Sequence, residues 1–407
     1  MNAPTASNPR YAHARLRQAS EALGAMLGFA HPADQVLDLY YKEHRNMGGR
    51  DRRECAEIVY GALRHKRRLA HWIDAAGLPH ADAQALAGAW LLHGGGWTAD
   101  ALAAAGFAYD ASALAAAIDA APADSLAFAT RWSLPDALSQ RIQAQYGAEA
   151  EALARALLEQ APVDLRANTL RTTREALMDR LRAVDIECTP TALAHDGLRL
   201  TKRAALSGLP EFKRGLFELQ DEGSQLIGEL LAPQAGARVL DLCAGAGGKS
   251  LQLAALMGDR GTVWACDVDP RRLGRANLRI TRSGATCIVT RELSGLDDAW
   301  LAAQRGTFDA VLVDAPCSGS GTLRRNPDLK WRTLDLDALG VLQRKLLAAA
   351  LALAKPGGRV VYATCSLLRE ENEDVVAGCG VTPDALLVRL PHRDGGDGFF
   401  AVRLRVA

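Results

Sequence analysis

From Arg238 onward short aliphatic runs alternate with helical stretches, and this alternation constrains the fold more than any other feature. Arg238-Val239-Leu240-Asp241-Leu242, Val263-Trp264-Ala265-Cys266, Phe308-Asp309-Ala310-Val311-Leu312-Val313 and Arg359-Val360-Val361-Tyr362-Ala363 read as short buried strands. Helical segments such as Leu342 to Ala354 lie between them. A helix that connects two strands carries the chain back to the same end of the sheet, so the strands run parallel. The expected architecture is α/β, a doubly wound and mostly parallel sheet. In such a sheet ligands sit beyond the carboxyl ends of the strands. The residues that follow each run are therefore the ones to inspect.

The first run leads into Cys243-Ala244-Gly245-Ala246-Gly247-Gly248-Lys249-Ser250. Glycines there let the backbone approach a ligand closely at the start of a helix. The second run ends in Asp267-Val268-Asp269, where an acid accepts hydrogen bonds from two ribose hydroxyls. Alone, these features suit a nicotinamide enzyme as well as one that uses S-adenosylmethionine. The turn has no clean GxGxxG and no P-loop spacing, which argues mildly against the dinucleotide.

Two cysteines follow strand ends. The third run continues as Asp314-Ala315-Pro316-Cys317-Ser318-Gly319-Ser320-Gly321, and the fourth as Thr364-Cys365-Ser366, then Arg369-Glu370-Glu371-Asn372-Glu373. A lone buried cysteine is usually packing. Two at the ligand-side rim of one sheet suggest chemistry on a base. Carbon 5 of cytosine is a poor nucleophile, but a thiolate that adds to carbon 6 makes it enamine-like and reactive. An acid near ring nitrogen 3 stabilises that adduct, and Asp314 is placed for the task. A second thiol, Cys317, is suited to assist release.

The rest of the chain sets the context. Residues 1–130 read as helical, rich in Ala and Leu, with Asp51 as a plausible N-cap before the Cys55, Ile58, Val59, Ala62, Leu63 spacing. Residues 131–232 read as a small α+β module, with strands at 162–170, near Leu198 and near Phe217 and a helix from Thr173 to about Val184. Residues 233–407 form the sheet domain. The formal net charge is +1, so any nucleic-acid surface must be local. Between residues 41 and 70 there are nine Lys or Arg (Lys42, Arg45, Arg50, Arg52, Arg53, Arg64, Lys66, Arg67, Arg68) against four acids. That patch is either a solvated helix face or a phosphate-contacting surface. The eight cysteines show no CxxC pair and no zinc spacing, so no metal is expected. No 18-residue apolar stretch appears, and Met1–Arg17 has no apolar signal region, so a cytoplasmic protein away from membranes is expected.

The motifs DLCAGAGGKS, DAPCSGSGTLRRNPDLKW and TCSLLREENE resemble those of the Sun/Fmu group of RNA cytosine-5 methyltransferases. PVDLRANTL and FELQDEGSQL resemble the segment ahead of that family's catalytic domain, RDRRECAEIVYGALRHKRRL its NusB-like helical RNA-binding domain, and DGGDGFFAVRL its final hairpin. The resemblance implies a Rossmann-like class I methyltransferase domain that uses S-adenosyl-L-methionine. It makes Cys365 the nucleophile and Cys317 the aid to product release. It assigns Cys243, Ala244, Gly245, Ala246, Gly247, Gly248 and Lys249 to the cofactor, with Lys249 also lining the active site. Asp267 then contacts the ribose, and Asp314 lies between cofactor and base. The implied partner is RNA, with 16S rRNA preferred, and a monomer is expected. Where many members carry an adenine-contacting aspartate, this chain has Thr290-Arg291-Glu292-Leu293, and Glu292 is the candidate substitute.

Three rivals remain. In DNA cytosine-5 methyltransferases the nucleophile lies in a Pro-Cys pair, which Pro316-Cys317 matches superficially. A nicotinamide dehydrogenase leaves both cysteine motifs without a task. A non-catalytic RNA-binding factor leaves the reactive residues unexplained.

Overall fold

A computed structural model describes residues 9–79 and 82–407, so part of the polar Met1–Arg17 stretch lies outside the described residues. The chain divides into two compact units, one of residues 1–160 with 323–333, the other of 161–322 with 334–407.

The first unit is helical. It includes helices Pro9–Met26, Ala33–Glu43, Gly49–Ala75, Ala83–His93 and Ala111–Ala120, which close around Leu16, Leu23, Val59, Leu63, Leu69, Trp72 and Leu86. Helices Asp136–Tyr146 and Ala150–Ala156 also belong to this unit, which by its contacts runs to Gln160. Asp51 is not the N-cap of the Gly49–Ala75 helix. Gly48 holds that position, and Asp51 sits in the first turn, where it accepts a hydrogen bond from the Gly48 N–H at 2.9 Å.

The basic patch of residues 41–70 divides on folding. Arg52 turns back to the Met47 carbonyl, Arg64 donates to the Arg324 carbonyl, and Arg67 donates to the Leu134 carbonyl and pairs with Asp136. Arg68 is buried, with His93 and the Arg131 carbonyl as partners. Lys66 lies 4.9 Å from the Trp331 ring centre. Only Lys42, Arg45, Arg50 and Arg53 are exposed, and Arg50 pairs with Glu54. Much of the positive charge thus holds the helical unit together.

Residues 323–333 join this unit through polar contacts. Lys330 is buried, its ammonium donating to the carbonyls of Arg64 at 3.0 Å and Ser133 at 3.3 Å. Burial holds its pKa well below the usual lysine range. Trp331 donates from its indole to the Leu63 carbonyl, and Asp328 pairs with Arg332.

The second unit holds two sheets. The small one contains β1 (Asp164–Ala167), β2 (Cys188–Pro190), β3 (Gly197–Leu200) and β4 (Phe217–Leu219), in the order β2-β3-β1-β4 and antiparallel throughout. A helix Arg174–Arg182 packs on it, N-capped by Thr173. Strand Cys188–Pro190 has no clear sequence signal, since it is three residues long and carries a proline.

The large sheet contains β5 (Arg238–Asp241), β6 (Thr262–Asp267), β7 (Ile288–Glu292), β8 (Phe308–Asp314), β9 (Ala354–Thr364), β10 (Pro383–Arg389) and β11 (Phe399–Arg405). Their order is β10-β11-β9-β8-β5-β6-β7, parallel from β9 to β7, with β11 and β10 added antiparallel. The expected doubly wound sheet is present. The chain winds outward through β6 and β7, then crosses to the other side of β5 for β8 and β9. The carboxyl ends of β5 and β8 therefore flank a topological switch point, the crevice where such sheets bind ligands. No helix among the described residues is long and apolar enough to cross a membrane.

Candidate active site

The loop after β5 is shaped for a ligand. Asp241 ends the strand, and helix Gly248–Leu256 begins seven residues later. Gly245 (φ +56°) and Gly247 (φ +77°) adopt the left-handed conformation that bends the loop back over the strand end. A Cβ at Gly245 would meet nothing within 4 Å, so that side of the loop is open. Ala244 N–H is tied to the Cys266 carbonyl at 2.8 Å, and the Ala246 carbonyl accepts from Arg279 at 2.9 Å. Arg279 in turn is held by Glu218 of β4, which also pairs with Arg282. The small module thereby braces the loop.

Asp267 ends β6 and is buried at 6% exposure. One of its carboxylate oxygens accepts from Gly245 N–H at 2.8 Å and the other from Asp269 N–H at 2.9 Å. Each oxygen keeps a lone pair for a further donor. Glu292 ends β7 and is exposed. Burial pushes the Cys243 thiol well above its ordinary range, as expected of a packing cysteine.

Sequence reasoning does not single out Asp241 as a site residue. Its Oδ2 accepts from Ser250 at 2.6 Å, while its Oδ1 is buried with no donor among the described residues. Burial pushes its pKa up to about 7, with the Ser250 hydrogen bond acting the other way. The open glycine turn, the anchored Asp267 and the unused Asp241 oxygen together fit a polar organic cofactor that carries N–H donors and hydroxyls.

The Asp241 shift has a sign that can be tested. Below about pH 4 the folded and unfolded chains both hold the proton. Between about 4 and 7 the unfolded chain loses it first, so stability falls as pH rises, and above 7 the full penalty persists. Asp241→Asn should therefore stabilise the ligand-free protein at pH 8 by roughly 2–4 kcal/mol and leave it nearly unchanged at pH 4. Urea unfolding at the two pH values measures this; an equal effect at both would rule Asp241 out as the titrating group.

The cysteines meet on the other side of the switch point. Cys365 follows the last residue of β9, and Cys317 lies three residues beyond β8. Their sulfurs are 3.4 Å apart. The hydrogen bond with Cys365, and then burial, push the Cys317 thiol well above its ordinary pKa, so Cys317 keeps its proton. Asp314, the last residue of β8, accepts from the Lys249 ammonium at 2.6 Å. Burial works against the Lys249 charge, but Asp314 outweighs it and the lysine pKa is raised. Asp241 and Cys365 act on it in the same direction as Asp314.

Glu371 is a second residue that sequence reasoning misses. It is fully buried, and its carboxylate is gripped by Ser318, Ser366 and Gln343. Beside it Asn372 accepts from the Thr364 hydroxyl at 2.5 Å and donates to the Ser366 carbonyl at 3.0 Å, which fixes the turn carrying Cys365. Gly321 closes the arrangement: its N–H donates to the Cys365 carbonyl, and an added Cβ would lie 2.2 Å from the Gly398 carbonyl oxygen. The sequence signal for Glu371 is its place six residues after Cys365, but three neighbouring acids disguise it as a solvated helix start.

Residues 228–381 match the family model for the 16S rRNA methyltransferase RsmB/F, and residues 134–207 match the ferredoxin-like domain that accompanies it. The ribosomal RNA small subunit methyltransferase B of Pectobacterium atrosepticum is 37% identical over 284 residues, a match that spans 66% of this chain and 66% of that protein. A crystallised methyltransferase homolog from Pyrococcus horikoshii is 30% identical, with a TM-score of 0.61 over 69% of this chain and 97% of its own. The chain belongs to the RsmB/F methyltransferase family. PH0851, 24% identical, shares the fold, with a TM-score of 0.79 over 98% of each chain. The aligned part thus covers slightly less than two thirds of the curated RsmB/F relatives. The ferredoxin-like match begins at residue 134, whereas the compact units part at Gln160. Two helices of the helical unit are therefore shared, in sequence, with the family's second module.

Proposed function

We propose that this RsmB/F family member transfers a methyl group from S-adenosylmethionine to carbon 5 of a cytosine in small-subunit ribosomal RNA. The observation that carries the reading is the pair of sulfurs 3.4 Å apart at the ends of β8 and β9, beside the Lys249–Asp314 pair. The Pectobacterium relative's description as a small-subunit rRNA methyltransferase supports the choice of RNA.

Bound in the crevice, S-adenosylmethionine supplies an electrophilic methyl group. Cys243 to Lys249 and Asp267 are the residues that would hold it. The protein's own task is to make carbon 5 of the base nucleophilic. Cys365 sulfur bonds to carbon 6, the 5,6 double bond opens, and the electron pair becomes available at carbon 5. Nitrogen 3 takes up the proton that Cys365 gives up, and the Asp314 carboxylate, held by Lys249, accepts a hydrogen bond from that N–H. After methylation a proton leaves carbon 5 to a base, the double bond re-forms, and Cys365 departs with the sulfur–carbon electron pair. Cys317 retains its proton and donates a hydrogen bond to the departing sulfur. The target base must be unpaired or turned out of its helix to reach Cys365.

The test is methyl transfer from labelled S-adenosylmethionine to deproteinised small-subunit rRNA, followed by digestion to nucleosides. Label in 5-methylcytidine is the expected result. Label in any other nucleoside would remove the cytosine-5 assignment, and no label on the RNA would remove the substrate.

A further inference from the structure

We infer that Glu371 is a positioning residue that sets the two cysteine sulfurs against each other, and that its effect falls on release of the RNA rather than on its capture. The assignment of release to Cys317 rests on the function proposed above; the geometric part does not.

The carboxylate has no exposed surface, and its hydrogen-bond partners among the described residues are a backbone N–H, an amide and two hydroxyls, with no lysine or arginine. Its Oε1 accepts from Ser318 N–H at 2.8 Å and from the Gln343 amide at 3.1 Å. Its Oε2 accepts from the hydroxyls of Ser318 and Ser366, both at 2.5 Å. Ser318 follows Cys317 and Ser366 follows Cys365, so one carboxylate joins the residues next to both thiols. Gln343 also donates to the Pro316 carbonyl at 2.9 Å, which fixes the other side of Cys317.

The Ser318 hydroxyl has two acceptors within reach, Ser320 at 3.1 Å and Glu371 at 2.5 Å, and its one hydrogen goes to the nearer, charged one. Leu367 N–H donates to Ser320, whose hydroxyl lies 3.1 Å from both Ser318 and Ser366. Those two hydroxyls direct their hydrogens at Glu371. With the Ser318 and Ser366 hydroxyls both donating to one oxygen, and a backbone N–H and an amide donating to the other, the cluster needs a group there that only accepts. An ionised carboxylate meets that need and an amide does not. Glutamine has nearly the same shape, yet its NH₂ must face either two donors at the Oε1 position or two hydroxyls at the Oε2 position. In both cases the cluster must reorient, and the tie between the two cysteine loops loosens.

Glu371→Gln and Ser366→Ala are compared with wild type and Cys317→Ala. Two readouts are taken: the covalent protein–RNA adduct that survives denaturation, and the rate at which diamide joins Cys317 to Cys365. In the second reaction two thiols become one disulfide while diamide gains two electrons and two protons. For Glu371→Gln we expect about tenfold more adduct than wild type and about tenfold slower disulfide formation, at unchanged affinity for S-adenosylmethionine. Ser366→Ala should move both readouts the same way by less, and carries the test if Glu371→Gln does not fold. Wild-type values of both readouts in the two variants would overturn the inference. So would parallel losses of transfer, cofactor affinity and thermal stability with no added adduct, the pattern of a purely structural residue. If Cys317→Ala itself gathers no adduct, the release role fails together with the proposed function; an unchanged disulfide rate in Glu371→Gln would then remove the geometric part too.

Discussion

Cys365→Ala is expected to reduce methyl transfer by at least about 10³-fold while RNA and S-adenosylmethionine still bind. The side chain sits on a turn fixed from outside itself, by Asn372 on both flanking residues and by Gly321 on its carbonyl. Removing the sulfur therefore leaves the backbone in place and deletes only the group that bonds to carbon 6. Single-turnover transfer measures the loss directly. Retained activity would transfer the nucleophile to Cys317, the Pro-Cys alternative. The high pKa of Cys317 weighs against that outcome, because a thiol that holds its proton is a weak nucleophile.

The second large effect is a change in kind. Cys317→Ala should capture RNA and then fail to free it, so that a methylated adduct on Cys365 builds up toward one per enzyme while turnover falls by about 10²-fold or more. The reason is the 3.4 Å contact: without the Cys317 hydrogen the departing Cys365 sulfur loses its hydrogen-bond donor. Denaturing gel electrophoresis with labelled RNA reads the adduct. Normal turnover with no adduct would return Cys317 to the status of a packing residue.

Which parts of this site are legible in the sequence follows from how local each signal is. Strands β5, β6, β8 and β9 are short aliphatic runs, and each motif residue lies within a few positions of a strand end. The strand pattern by itself therefore puts the glycine loop, Asp267, Asp314, Cys317 and Cys365 at one end of the sheet. Glu371 is not legible in this way. Its role depends on the β8 and β9 loops meeting, and in one dimension REENE is a charged helix start. Asp241 reads as a strand residue, but an unpaired buried oxygen is a three-dimensional fact. The basic patch misleads for the same reason. Charge counts cannot distinguish an arginine aimed at solvent from Arg64, Arg67 or Arg68 turned onto backbone carbonyls. The shift in composition near residue 130 falls close to the start of the ferredoxin-like match at 134, while two further helices pack with the helical unit up to Gln160.

The segment 323–333 has a consequence for how the protein comes into being. It supplies Asp328, Lys330 and Trp331 to the helical unit, yet it lies in the chain after β8. During synthesis the N-terminal helices leave the ribosome before this segment, and their core residues, all at or before Leu126, are complete when Gln160 appears, but the Lys330 and Trp331 donors are not yet made. A further 162 residues, Ala161 to Thr322, are made before those donors arrive. A gene fragment ending at residue 160 encodes the helices without their plug, with the Leu63 and Ser133 carbonyls left facing an empty place. The helical unit thus starts before the sheet unit in the chain and receives its last segment only after β8 has been made.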